Sequence, residues 1–333
     1  MTRAAVLGSG AWGTTFSAVL GDAGNDVVIW SVDEEAVADV NTRHTNSFFG
    51  AEHELPASVR ATTDAAEALD SAELVFVALP AQSVRDIVAG FGDLLAPDSV
   101  VVSLMKGIEV GSHLRMSEVL AEVWGVPDDR LAVVSGPNLA TEIAQRQPTA
   151  TVVASSSTHA ANTIADAIAS AYFRPYTNPD VVGVELCGAY KNVIAVSVGI
   201  ADGRGFGNNT TATLITRGLA EISRLGLVLG AAPETFPGLA GMGDLIATCA
   251  SPLSRNHTLG SHVGRGLSLP DAITQTRGTA EGVQTSRSIQ QLADDVGVEV
   301  PICDAVVKML HGHADPEVIM SALLSRPRKA EVE

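Results

Sequence analysis

Gly8-Ser9-Gly10-Ala11-Trp12-Gly13 is the stretch that decides how this chain is read. It follows the apolar run Ala4–Leu7 and opens a segment of helical length. A G-x-G-x-x-G between a strand and a helix suits a dinucleotide for three reasons. The first glycine allows the tight turn, the second lets the backbone approach a pyrophosphate, and the third lets helix and strand pack closely. The pyrophosphate then rests on the free amides of the helix N-terminus. Gly8, Ser9, Gly10, Ala11, Trp12 and Gly13 are therefore candidate cofactor contacts. The plainer alternative is an ordinary glycine-rich turn, and the β-turn-α setting at the start of the chain argues against it.

Working outward, short apolar runs recur at Ala4–Leu7, Val27–Trp30, Leu74–Leu79, Val100–Leu104, Leu131–Ser135 and Thr151–Ala154. Several are continuous instead of alternating, as in strands buried on both faces of a parallel sheet. Segments of helical period lie between them, for example Asp33–Thr42 and His113–Val123. Alternating β and α elements predict an α/β fold with an N-terminal Rossmann-type parallel sheet. After about residue 180 the character changes. Ala/Leu/Ile-rich segments such as Thr210–Gly226, Leu267–Thr276, Ser286–Val296 and Asp304–His311 predict a mostly α-helical second domain. The expected division is 1–180 for the dinucleotide-binding domain and 181–333 for a helical substrate-binding domain, ending in a polar tail over Arg326–Glu333.

Composition sets the outer limits. The 333 residues are 46% hydrophobic and 18% charged, which is enough apolar material for a core and too little charge for a disordered chain. The net charge of −17 repels phosphate backbones, so no nucleic-acid partner is expected. Cys187, Cys249 and Cys303 are odd in number and far apart. They suggest neither a disulfide framework nor a structural metal, and they fit a reducing, cytoplasmic setting. No uninterrupted apolar run reaches 18 residues, so neither a membrane-spanning helix nor a signal peptide is expected.

The second strand leads into Ser31-Val32-Asp33-Glu34-Glu35. An NAD site places a carboxylate near the ribose hydroxyls here, whereas an NADP site needs a cation for the 2′-phosphate. No Lys or Arg appears until Arg43. Asp33 reads equally well as a helix N-cap followed by acidic first-turn residues. Either way the missing cation favours NAD, with NADP as the alternative.

Only four lysines occur: Lys106, Lys191, Lys308 and Lys329. Lys106 follows the run Val100–Met105, at the carboxyl edge of the sheet where α/β folds bind ligands. Lys191 sits within Gly188-Ala189-Tyr190-Lys191-Asn192-Val193-Ile194. Burial among apolar groups and neighbouring cations lowers a lysine pKa, as proton transfer near neutrality requires. Snorkelling to the surface is the alternative, and for Lys308 it is the better reading. Three further segments look like ligand loops: Ser135-Gly136-Pro137-Asn138, Gly238–Leu245 with Asp244, and Ser254-Arg255-Asn256 at a helix start. Arginine with hydroxyl and amide neighbours at a helix N-terminus suits a phosphate ester. Each alone is a plain turn or cap; their combination with two unusual lysines and a dinucleotide loop is not.

Together, Gly8–Gly13, Lys106–Glu109, Ser135–Pro137, Lys191–Ala195, Gly203–Asn208, Thr216–Gly226, Gly238–Asp244, Ser254–Asn256 and Glu281–Gly282 resemble the bacterial NAD(P)-dependent glycerol-3-phosphate dehydrogenases over nearly the whole chain. The resemblance implies reversible reduction of dihydroxyacetone phosphate to sn-glycerol 3-phosphate, supplying glycerophospholipid synthesis, in a homodimer. It implies Lys191 as general acid/base. Lys106, Gly136, Asn138, Lys191, Asn192, Asp244, Ser254, Arg255 and Asn256 correspond to substrate-binding positions. Ser31, Val32, Lys106, Ala140, Arg255, Thr279 and Glu281 join the glycine loop as cofactor-binding positions. Two departures stand out. Many relatives carry a basic residue near Ser31 or Val32, and Asn138 stands where Ser or Thr is common. Two other readings remain open at this point: a dehydrogenase of the same plan acting on a 3-hydroxy acid or sugar acid phosphate, and a non-catalytic NAD(H) sensor.

Overall fold

The computed structural model describes residues 1–47, 53–276, 278–312 and 314. The strands are β1 (Arg3–Leu7), β2 (Asp26–Trp30), β3 (Val59–Thr62), β4 (Leu74–Val77), β5 (Val100–Ser103), β6 (Leu131–Ser135), β7 (Thr149–Ala154) and β8 (Phe173–Asn178). They form one sheet in the order β3-β2-β1-β4-β5-β6-β7-β8. The order runs outward in both directions from the β1–β4 pair, the switch point at which doubly wound sheets open a crevice at their carboxyl ends. The helices α1 (Ala11–Asp22), α2 (Glu34–Arg43), α3 (Ala65–Leu69), α4 (Val84–Val88), α5 (Met116–Trp124), α6 (Ala140–Ala144) and α7 (Thr158–Ile168) belong to this part of the chain.

The expected strands are all present, and two more flank them. β3 and β8 are the edge strands. β3 carries Arg60, and β8 carries Arg174 and Pro175, with Phe173 its one fully buried residue. An edge strand has one open side, so it needs no continuous apolar run and tolerates proline. The sheet also departs from an all-parallel one, because β7 lies antiparallel to β6.

Beyond Asn178 the described residues are helical: α8 (Val181–Gly203), α9 (Asn208–Val228), α10 (Asp244–Ala250), α11 (Arg255–Gly264), α12 (Leu269–Gln275), α13 (Gly282–Asp295) and α14 (Pro301–His311). The polar tail expected over Arg326–Glu333, with Lys329, lies outside the described residues. Lys308 is exposed on α14, as a snorkelling lysine should be. α8 is long and apolar enough to cross a membrane by length and composition alone, and 89% of its most apolar window is buried inside the protein. Glu185 and Lys191 interrupt its apolar run, which is why no uninterrupted stretch revealed it. Its residues from Gly183 to Ala201 are buried, and it forms the centre of the helical core together with Leu214, Leu245, Leu259 and Ile289.

Two features hold α8 in place. Asp180 caps it, accepting from the Gly183 amide at 2.8 Å, the Ala232 amide at 2.9 Å and Thr235 Oγ1 at 2.6 Å. Glu185 then joins it to the sheet part, accepting from the Ser117 amide at 2.9 Å and from Arg115 Nη1 at 2.6 Å. The α8–α11 crossing is unusually close. A Cβ on Gly199 or Gly203 of α8 would strike the backbone of α11, and one on Gly260 or Gly264 would strike that of α8. Reciprocal small residues four apart let the two backbones touch, which fixes the register between the helices.

Candidate functional site

The site builds up along the carboxyl edge of the sheet. Gly8 adopts φ +117°, in the region that favours glycine, and a Cβ there would lie 2.6 Å from the Ala78 carbonyl oxygen of the chain leaving β4. A Cβ on Gly13 would collide with the Gly8 carbonyl. Gly10 differs from both: nothing in the protein lies within 4 Å of where its Cβ would be. The first and third glycines are thus needed by the fold, and the second leaves an open cradle beside the free amides of α1. No acidic residue occupies the first turn of α1, so an anion meets no repulsion there. The residues fit a dinucleotide pyrophosphate. Trp12 packs edge-on to Phe16 with centroids 5.4 Å apart, and its buried Nε1 has no partner.

At the end of β2, Ser31 is buried and its Oγ lies 2.6 Å from Ser9 Oγ. Val32 is 81% exposed. Asp33 caps α2, its Oδ1 accepting from the Glu35 amide at 3.0 Å and the Ala36 amide at 3.1 Å. Of the two readings of Asp33, the structure gives the cap.

Lys106 leaves β5 and donates to the Gly136 carbonyl at 3.0 Å and to Asp244 Oδ2 at 2.6 Å. Lys191, on the buried α8, donates to Asp244 Oδ1 and to Thr248 Oγ1, the latter at 2.8 Å. One carboxylate therefore spans two ammonium groups, one from each part of the chain. Asp244 reaches this position because a π-helical turn over Leu239–Gly243 precedes α10. Such turns carry one extra residue per turn and rotate the helix after them; they recur at functional sites. The surroundings lower the Lys191 pKa from its ordinary 10.5 to about 7. Burial is the main cause and Lys106 adds to it, while Asp244 opposes both.

A second set of contacts links α8 to α11. Asn256 Nδ2 donates to Asn192 Oδ1 at 3.0 Å, and Asn256 Oδ1 accepts from the Gly282 amide at 2.9 Å. Asn192 Nδ2 reaches the Lys106 carbonyl at 3.3 Å. Ser254 caps α11, accepting from the His257 amide at 3.3 Å, and leaves Arg255 exposed at the helix start. Burial raises the Glu281 pKa above its ordinary value, and the Ala81 amide from which it accepts and the nearby Arg255 offset this only in part. Asn138 Nδ2 donates to Thr151 Oγ1 at 2.9 Å, while its buried Oδ1 is unpaired. Ala140 begins α6, and Thr279 is exposed.

The structure thus brings Lys106, Gly136, Lys191, Asn192, Asp244 and Asn256 into one connected cluster. Ser31 and Val32 lie apart, at the far end of the glycine loop. Sequence reading missed Thr248, although its place four residues after Asp244, on one face of a helix, was the available signal. It also missed Thr151 and Ala81, whose partners come from distant segments and leave no local pattern.

Two family models match the chain: the NAD-dependent glycerol-3-phosphate dehydrogenase N-terminus over residues 3–161 and the corresponding C-terminus over residues 180–321. The chain is 54% identical over 329 residues to the glycerol-3-phosphate dehydrogenase (NAD(P)+) of Streptomyces griseus, covering 99% of this chain and 98% of that one. It is 53% identical to the enzyme of the same name from Corynebacterium jeikeium, covering 99% and 100%. The crystal structure of glycerol-3-phosphate dehydrogenase from Coxiella burnetii superposes with a TM-score of 0.92 at 34% identity, covering 98% and 99%.

Proposed function

Because the chain belongs to the NAD-dependent glycerol-3-phosphate dehydrogenase family, we propose that the Lys191–Asp244–Lys106 cluster is where it handles its substrate. The protein is an oxidoreductase that interconverts dihydroxyacetone phosphate and sn-glycerol 3-phosphate with NAD(P)(H). The observation that carries the mechanism is a buried lysine with a pKa of about 7, held by a carboxylate it shares with a second lysine.

The Gly8–Gly13 loop, Ser31, Val32, Lys106, Ala140, Arg255, Thr279 and Glu281 would hold the cofactor. When bound, the nicotinamide supplies the hydride for C2 of dihydroxyacetone phosphate, or takes it back in reverse. Lys191 as ammonium donates a proton to the C2 oxygen as negative charge develops there, and as free amine it accepts that proton in the opposite direction. Asp244 and Thr248 hold Nζ in place, so Lys191 need not search for its geometry. Lys106 adds a second positive charge at the oxygen and lowers the Lys191 pKa towards neutrality. Arg255, Ser254 and Asn256 grip the phosphate at the α11 N-terminus, and Gly136, Asn138 and Asn192 line the rest of the substrate pocket. Binding energy gathered at the phosphate then positions the reacting carbon.

The division into a dinucleotide-binding domain over 1–180 and a substrate-binding domain over 181–333 is part of the same reading, supported by the end of the sheet at Asn178. So are a cytoplasmic homodimer, free of nucleic acid and membrane, and supply of glycerol 3-phosphate for phospholipid synthesis. The deciding experiment follows NADH and NADPH oxidation with dihydroxyacetone phosphate in wild-type protein and Lys191→Met. Loss of turnover by about 10²–10⁴-fold in the variant, with its fold intact, is the expected outcome. Near-normal turnover of Lys191→Met would refute the assignment.

A further inference from the structure

The end of β2 is where the adenosine ribose of a dinucleotide meets the protein. We propose that this rim accepts an unphosphorylated ribose and rejects a 2′-phosphate, so that the enzyme works with NAD(H) in preference to NADP(H). The inference rests on the cofactor reading above and narrows it.

Three observations converge. First, the rim is built from Ser9, Ser31, Val32, Asp33, Glu34 and Asp64, which include three carboxylates and no cation. Asp64 belongs to it because β3 pairs with β2 and the Ser31 amide donates to the Thr62 carbonyl at 3.1 Å. Second, the backbone amides at the two helix starts of this rim are already occupied. The Glu35 and Ala36 amides at the start of α2 are bonded to Asp33 Oδ1, and the Ala66 amide at the start of α3 is bonded to Asp64 Oδ1 at 2.8 Å. A phosphate arriving here would have to displace a carboxylate from each helix end. Third, the nearest guanidinium groups in sequence are committed. Arg43 pairs with Asp39, nine residues from Glu34 and about 13 Å along the helix. Arg60 pairs with Glu67 at 3.6 Å.

A neutral diol suits the same rim. Ser31 Oγ accepts from the Asp33 amide at 3.1 Å and is bonded to Ser9 Oγ. That pair of hydroxyls links the β2 end to the glycine loop and offers a sugar neutral hydrogen-bonding atoms. Val32, 81% exposed, is the position at which a single side chain would reverse the preference. Arginine at so exposed a position has room and would bring the missing phosphate partner.

The test is direct binding by calorimetry, with NADH, NADPH, 5′-AMP and 2′,5′-ADP as the probes, on wild-type protein and Val32→Arg. Wild type is expected to bind NADH at least about tenfold tighter than NADPH, a gap of roughly 1.4 kcal/mol. Val32→Arg is expected to tighten NADPH and 2′,5′-ADP by about tenfold or more relative to NADH and 5′-AMP measured on the same variant. Wild-type binding of NADPH as tight as NADH overturns the inference while leaving the enzyme assignment intact. Unaltered NADPH affinity in Val32→Arg overturns the account of the missing cation. Failure of wild type to bind either dinucleotide refutes the cofactor reading itself, and this inference with it.

Discussion

Lys191 and Lys106 are held by opposite oxygens of one carboxylate, Asp244 Oδ1 and Oδ2. Lys191 comes from the helix at the centre of the helical core and Lys106 from the edge of the sheet, so Asp244 joins the two parts of the molecule. It also compensates two ammonium groups that would otherwise repel each other.

Asp244→Asn should therefore do two things. With the negative charge gone, burial and Lys106 act on Lys191 unopposed, and its pKa falls below the value of about 7 that it has in the intact site. Carbonyl reduction, which needs the ammonium, should lose about 10²-fold or more in kcat at pH 7, and its pH profile should move to lower pH. An unmoved profile would show that Asp244 does not act on Lys191.

The intact enzyme should show opposite pH limbs in the two directions. Reduction of dihydroxyacetone phosphate falls as pH rises through about 7, and oxidation of glycerol 3-phosphate rises over the same interval. Stability follows from the same group. Its folded pKa lies below the ordinary 10.5, so between about 7 and 10.5 the unfolded chain holds the extra proton, and this lysine's contribution makes the protein more stable as pH rises across that window. Denaturant titrations of wild type and Lys191→Met at pH 7 and pH 9 check this: the difference between the two proteins should shrink or reverse with pH.

Arg255→Ala should act mainly on substrate affinity. Arg255 is exposed at the α11 start, and Glu281, the buried carboxyl it acts on, still accepts from the Ala81 amide when the guanidinium is gone. KM for dihydroxyacetone phosphate should rise by about 10-fold or more, the cost of a charge-assisted contact to phosphate. An unchanged KM would move the phosphate elsewhere.

Gly260→Ala probes the α8–α11 crossing. Its Cβ would strike the Val196 carbonyl of α8, and neither backbone can yield cheaply. We expect a loss of about 1–3 kcal/mol in unfolding free energy, as for overpacking elsewhere. Substrate affinity should weaken with it, because the same crossing sets Asn256 against Asn192.

Glu185→Ala tests the tie between α8 and the sheet part. It would leave Arg115 with Glu118 as its remaining carboxylate and the Ser117 amide unpaired, and should cost about 1–3 kcal/mol, read as a lower thermal midpoint. A midpoint within a degree of wild type would show that the tie is not needed.

Much of this protein was open to reading along the chain. The glycine loop, the buried strands and the helical second half announce themselves through local rules: turn chemistry, continuous apolar runs and period. Lys191 stood out because an ammonium within an apolar helix is costly wherever that helix lies. The edge strands β3 and β8 did not, because an edge needs no uninterrupted apolar run. What only the tertiary structure decided is who meets whom. That Asp244 lies between two lysines depends on a π-helical turn; that Asn192 bonds Asn256 depends on glycines 61 positions apart, Gly199 and Gly260, which let two backbones touch. That Asp33 turns inward to cap its helix was one of two options that the sequence held equal. Local patterns follow from each residue's own neighbours in the chain, whereas pairings across 50 or more residues follow from packing, and packing is resolved only when every element has taken its place.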